Sequence, residues 1–248
     1  MPTLTATLVG GPTAVLDYGG LRWLTDPTLS PPGEYEHLTK TTEPALDLAG
    51  LEPVDVVLLS HDQHADNLDP AGRDFLPRAG RVLTTPEGAG RLGGNATGLE
   101  PWETTQVGDV TVTAVPARHG PYGCEPVTGP VTGFVLAATG AERVYVSGDN
   151  ASVDLAGEIA RRLGPIPVAV LFCGAVQIPV RFDGAYLTLS ADHAADVALA
   201  LGARAVVPVH FEGWTHFTQG ADALRAAFAG NGIGDRLVVA ERGETVSV

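Results

Sequence analysis

A chain of 248 residues with 44% apolar side chains holds ample material for a sizeable buried core. Its formal charge of −14, from 15 basic and 29 acidic residues, repels phosphate backbones and argues against nucleic acid as partner or substrate. No apolar run nears the ~20 residues that cross a bilayer, Met1–Thr7 lacks a basic-then-apolar leader, and Cys124 and Cys173 make no disulfide framework, so a cytoplasmic protein without a membrane partner is expected.

Leu4, Ala6 and Leu8 alternate with Thr5, Thr7 and Val9, the period of a strand with two faces. Gly10-Gly11-Pro12 turns the chain into a second run, Thr13 to Leu16, and Leu21 to Thr25 makes a third. This opening is a β-meander rather than a nucleotide-binding βαβ unit. Residues 28–43, with Pro31-Pro32-Gly33, are expected to form a polar loop in which His37 has no special role. Val54 to Leu59 is nearly continuously apolar, as in a strand buried on both faces, and stops at Ser60-His61. Further strands are expected at 82–84, 110–115, 131–137, 144–146, 168–172, 205–209 and 237–239. Helices fit 70–76, 86–92, 152–163, 190–201 and 219–229. Ser190 has the chemistry of an N-cap, and Ala194, Val197, Ala198 and Leu201 form an apolar stripe behind it. No linker, repeat or charge block divides the chain, so a single domain over 1–248 is expected, a layered α/β fold with mixed sheets.

The strand ends carry the chemistry. The run 54–59 leads into His61, His64 and Asp66; 110–115 leads into His119, 144–146 into Asp149 and 205–209 into His210. Imidazole nitrogens and carboxylate oxygens fixed at the ends of rigid elements are what a zinc or similar divalent site requires. Each residue alone has a plainer use. Asp149 after Gly148 suits a turn, Asp66 and Asn67 suit a helix cap, and His119 suits a structural hydrogen bond. His193, in the first turns of a helix, is read as solvated. Six residues obeying one spatial rule point instead to a shared site.

The run Ser60-His61-Asp62-Gln63-His64-Ala65-Asp66-Asn67, followed by His119, by Gly148-Asp149 and by Pro208-Val209-His210, resembles the metallo-β-lactamase superfamily over essentially the whole chain. Within it, the likeness is to the ascorbate-6-phosphate lactonase-like and phospholipase D-like branch. The resemblance implies an αββα sandwich, two mixed β-sheets flanked by helices, with a metal centre at one edge. It implies His61, His64 and His119 as a first site, Asp149 as a bridging carboxylate, and Asp66 and His210 in a second site. Asp66 is also the implied catalytic residue, orienting or deprotonating the attacking water. The family's His-x-His-x-Asp-His is altered here: one residue is added around Gln63, and Asn67 stands at the last histidine, offering only a neutral amide oxygen.

The implied cofactor is zinc, one or two ions, with manganese or iron as alternatives. The implied chemistry is hydrolysis of a small ester, lactone or phosphodiester by metal-activated water. Trp214 and His216, in the stretch after His210, are candidate substrate contacts, the first by stacking and the second by donating to an oxyanion; a packed aromatic and a structural histidine are the alternatives. Substrate choice is expected to lie in loops around 28–40, 118–130 and 177–190. A small-molecule substrate is the expected partner, and self-association into a homo-oligomer is left open. Two other readings compete: a non-catalytic binding protein with an altered or single-metal site, and a metal-dependent lyase or redox enzyme on the same scaffold. On the metal reading, His64→Ala and His119→Ala each abolish tight metal binding while His37→Ala leaves it intact; equal metal content in the three purified variants contradicts the assignment.

Overall fold

A computed structural model of the protein describes residues 4–178 and 182–248. Residues 1–3, and 179–181 within the expected 177–190 specificity loop, lie outside the described residues. The meander is present as strands β1 (Thr5–Gly10), β2 (Thr13–Tyr18) and β3 (Leu21–Thr25), each antiparallel to the next. The expected polar loop 28–43 instead contains a short hairpin, β4 (Gly33–Tyr35) and β5 (Leu38–Lys40). Its strands are only three residues each, too short for an alternating pattern to show in the sequence.

After the one-turn helix α1 (Leu48–Leu51), β6 (Val56–Leu58) lies parallel to β3 and begins the right-hand half of the first sheet. Helices α2 (Pro70–Phe75) and α3 (Pro86–Leu92) alternate with β7 (Arg81–Thr84) and β8 (Ala96–Gly98). Among the described residues this sheet has seven strands, in the order β15-β1-β2-β3-β6-β7-β8, with β15 (Thr245–Ser247) returning to pair with β1. The second sheet comes from β9 (Thr104–Val107), β10 (Val110–Pro116), β11 (Thr132–Ala138), β12 (Val144–Val146), β13 (Val168–Phe172) and β14 (Ala205–Val209), in the reverse of that order. The short helix α4 (Glu125–Thr128) lies between β10 and β11, and α5 (Val153–Leu163), α6 (Ala191–Leu201) and α7 (Ala221–Gly230) follow β12, β13 and β14. The run 237–239 is not a strand; Leu237 makes one isolated parallel bridge to Val206 before the chain turns away.

Side-chain alternation explains the layering. On β6, Val56 and Leu58 enter the core between the sheets with Leu8, Leu16, Trp23, Phe134 and Leu136. Val57 and Leu59 point the other way and meet Leu24, Phe75 and Leu76. A strand buried on both faces has no polar side, which is why its sequence reads as continuously apolar. The far face of the second sheet is covered by α5 and α6 through Ile159, Val197, Ala198 and Leu201. Helix α6 begins as expected: the Ser190 side chain accepts from the His193 backbone N–H, and Gly202 closes the helix at φ +68°. The result is the αββα arrangement. Among the described residues, no helix is long and apolar enough to cross a membrane.

Topology decides where the site can be. β3 and β6 are parallel, as are β12, β13 and β14. β10 is antiparallel to β11 and β11 to β12, so β10 also ends at the same edge as β12 and β14. The residue after each strand therefore falls on one rim. Gly174, just beyond β13, lets that rim close, because a Cβ there would overlap the carbonyl oxygen of His210. Gly174→Ala is accordingly expected to destabilise the protein by about 1–3 kcal/mol in urea unfolding. Gly90→Ala, in helix α3 with open space around it, is expected to add about 0.5–1 kcal/mol instead. Similar effects from both variants would contradict this account of the rim.

Candidate metal centre

The segment after β6 is held from beneath by Asp26, the residue that ends β3. Asp26 accepts the Ser60 backbone N–H at 2.7 Å, the Ser60 hydroxyl at 2.5 Å and the Asn67 side-chain amide at 2.8 Å. Burial raises the Asp26 carboxyl to about 7, against the opposing pull of these hydrogen bonds. Asp26 went unremarked in the sequence, although it follows the same strand-end rule as the other acidic residues. With the Ser60 proton directed to Asp26, the Ser60 oxygen is free to accept from His61 Nδ1 at 2.9 Å. That fixes the tautomer of His61 and leaves its Nε2 lone pair facing inward. His119 is oriented in the same manner, its Nδ1 donating to the Leu187 carbonyl at 2.8 Å. An outer hydrogen bond on the rear nitrogen is the usual support of a metal-ligating imidazole.

His61 Nε2 and His119 Nε2 lie 2.9 and 3.3 Å from His64 Nδ1, so three ring nitrogens converge. The added residue near Gln63 does not part them. Asp62, between them in sequence, pairs with Arg91, while its carbonyl accepts from Arg73 at 3.0 Å. Beside the histidines stands a second triad, Asp66, Asp149 and His210, with its donor atoms likewise within 4.8 Å of one another. His210 Nε2 lies 3.4 Å from Asp66 and 3.5 Å from Asp149, and the other oxygen of Asp149 is 3.6 Å from His119 Nε2. Asp149 therefore sits between the two triads.

These separations can be compared with what a cation requires. Four donors at about 2.0–2.1 Å from a tetrahedral zinc lie about 3.3 Å from one another. The adjacent pairs His61–His64, His64–His119, His119–Asp149, His210–Asp149 and His210–Asp66 span 2.9 to 3.6 Å, and all donors of each triad lie within 4.8 Å of one another. His61, Asp149 and His210 are fully buried, and Asp66 and His119 nearly so. Among the described residues, neither oxygen of Asp149 and neither nitrogen of His210 makes a hydrogen bond. Buried polar atoms left unpaired are costly, so a cluster of them aimed at one point fits a cation. The residues present fit a divalent ion in each triad.

The electrostatics agree with that use. Burial, reinforced by the neighbouring His64 and His119, holds His61 well below the usual imidazole range. His119 is lowered chiefly by burial as well. Burial opposes charge on Asp66, but the neighbouring imidazoles of His210 and His216 outweigh it and keep its carboxyl well below the usual range. His210 is raised: burial works against its proton, and Asp149 and Asp66 more than compensate.

The remaining expected site residues fall around this centre. His216 Nε2 lies 2.9 Å from Asp66. Trp214 is 3% exposed, with its ring edge-on to Tyr35 at 6.2 Å and to His216 at 6.1 Å. It stands behind Tyr35 rather than on an open face. A cavity of about 230 Å³ adjoins His64, lined by Tyr35, Glu36, Gln63, Ala65, Leu68 and Arg73 among others. Asp66 and Asn67 do not cap α2; Asp69 does, accepting from Gly72. His193 is half-buried, edge-on to Tyr186, rather than solvated.

Comparison with known proteins agrees with this geometry. Residues 22–211 match the sequence profile of the β-lactamase superfamily domain. The chain is 30% identical to a metal-dependent hydrolase of Anaeromyxobacter dehalogenans, over 86% of this chain and 76% of that one. It is 25% identical to a metal-dependent hydrolase of Pyrococcus abyssi, covering 79% and 82% of the two chains. An isothiocyanate hydrolase from Delia radicum gut bacteria has a similar structure, with a TM-score of 0.85, 20% identity and 98% of both chains covered. Profile, relatives, fold and the strand-end donors place this chain in the metallo-β-lactamase superfamily.

Proposed function

We propose that this metallo-β-lactamase-fold hydrolase uses a metal-activated water on a small ester, lactone or phosphodiester. The observation that carries the reading is the pair of adjoining triads, His61-His64-His119 and Asp66-Asp149-His210, with buried Asp149 between them and free of hydrogen bonds. Zinc suits this mixture of imidazole and carboxylate donors, and manganese or iron would be held by the same atoms. A divalent ion there supplies Lewis-acid polarisation of the substrate oxygen and a water of lowered pKa.

The chain's own residues supply the rest. Asp66 is positioned by His210 and His216 beside both triads, where its carboxylate can receive the proton of the attacking water. Water adds to the carbonyl or phosphoryl centre as Asp66 takes its proton, the bond to the departing oxygen breaks, and Asp66 returns that proton to the departing oxygen. The cavity beside His64 admits a small molecule, consistent with an acidic surface that repels polyanions. Tyr35, braced by Trp214, supplies an aromatic wall to it. This reading keeps the chain in the lactonase-like and phospholipase D-like branch. It also accommodates the relatives' description as metal-dependent hydrolases. A non-catalytic binding protein with an altered or single-metal site is the weaker alternative, because the Asp66-Asp149-His210 triad stands complete beside the three histidines.

Protein grown in zinc-supplemented medium is expected to carry at least one ion per chain, and fewer than about 0.2 ions would overturn the reading, since structural affinity follows the deprotonated donors described. On a panel of a p-nitrophenyl ester, a δ-lactone and bis-p-nitrophenyl phosphate, hydrolysis is expected with at least one compound. Chelation is expected to remove it and added metal to restore it. Asp66→Asn is expected to lower kcat by about 10²–10⁴-fold; an unchanged kcat rules out Asp66 as the proton acceptor.

A further inference from the structure

We propose that His216 is a metal ligand, the second imidazole of the Asp66-Asp149-His210 triad, and that it replaces the imidazole missing at position 67. The inference rests on the metal-centre reading above and assigns one more donor to it. His216 Nε2 approaches the same oxygen of Asp66 that His210 Nε2 faces, at 2.9 and 3.4 Å respectively. Both separations fit the edge of one coordination shell, about 3.3 Å for tetrahedral zinc. Asn67 is engaged elsewhere, its amide nitrogen bound to Asp26.

The ring is held in place by an element remote in sequence. Thr215 N–H donates to the Thr39 carbonyl at 3.1 Å, Thr41 N–H donates to the Gly213 carbonyl at 2.8 Å, and Lys40 and Trp214 form a β-bridge between them. Phe217 lies against the ring at 4.7 Å and Trp214 at 6.1 Å. Among the described residues Nδ1 of His216 makes no hydrogen bond, and Nε2 alone is engaged, toward Asp66. With 17% of its side chain exposed, His216 also sits where the triad meets solvent. The plainer role, an N–H donor to the Asp66 carboxylate, makes a different prediction for a variant that keeps a donor but loses the imidazole.

Full-length wild type, His216→Gln, His216→Gly and Asn67→Ala are stripped with chelator and titrated with Zn²⁺ by calorimetry, with bound metal counted by mass spectrometry. His216→Gln is expected to lose one ion per chain, or to bind it at least about 100-fold more weakly, beyond the 10–100-fold that loss of an outer hydrogen-bond partner costs. Free imidazole is expected to restore that ion in His216→Gly, while Asn67→Ala keeps the wild-type count. Equal stoichiometry and affinity in wild type and His216→Gln overturns the assignment, as does loss of the ion from Asn67→Ala with retention in His216→Gln. If wild type itself takes up no zinc, the metal-centre reading falls too; if it binds zinc and His216→Gln matches it, only the role of His216 falls.

Discussion

The fold is organised around a carboxylate that it cannot satisfy alone. Asp149 is fully buried, and among the described residues neither of its oxygens takes a hydrogen bond. An isolated buried charge costs several kcal/mol even after relaxation. Its nearest compensation is imidazole on both sides, His119 at 3.6 Å and His210 at 3.5 Å, each too far for a good hydrogen bond. The backbone is committed to keeping it there. Gly148 has φ +55°, and a Cβ at that position would fall 2.6 Å from both the Ser60 Cβ and the Thr132 carbonyl oxygen. His210 likewise holds φ +58°, a conformation that costs a non-glycine residue of order 1–3 kcal/mol. Strain and unpaired charge at the same rim are the pattern of a site built for a ligand rather than for stability.

How much of this could be read from the chain differs by element. The buried strands were legible because burial on one or two faces writes itself into side-chain alternation or continuity, as at Val110–Val115 and Val54–Leu59. The convergence of the candidate ligand positions was legible because each follows such a strand, and because the topology sends these strand ends to one rim. The hairpin at 33–40 was illegible: it buries little, and its anchor is a lysine. The run 237–239 has strand composition, yet among the described residues its backbone meets β14 in a single isolated bridge at Val206, so apolar content there reflects packing more than pairing.

Within the site, the sequence suggested two defects that the structure places in a different light. The extra residue near Gln63 leaves the three histidines convergent, and Asp62 beside it pairs with Arg91, a contact across 29 positions that no local pattern could reveal. Asn67 looked like a lost ligand, but its amide secures Asp26, which in turn sets the tautomer of His61 through Ser60. The chain Asn67–Asp26–Ser60–His61 is a relay of hydrogen-bond direction, and such direction is fixed only by three-dimensional neighbours. Asp26 carried the strand-end signal all along; it lacked a cluster of metal-ligand residue types nearby to draw notice.

Lys40 adds a separate consequence. Its buried ammonium donates to the carbonyls of Thr28 and Ser30 and pairs with Asp69 at 3.3 Å, while its backbone bridges to Trp214. The root of the 33–40 hairpin is thereby welded to the floor beneath the metal centre, whereas Glu36 and His37 at its tip are exposed and Tyr35 is only partly covered. Root and tip thus answer to different selective pressures. Substitutions at the tip can reshape the mouth of the cavity without disturbing a single donor atom, which gives one scaffold a means of changing what it accepts while conserving how it reacts.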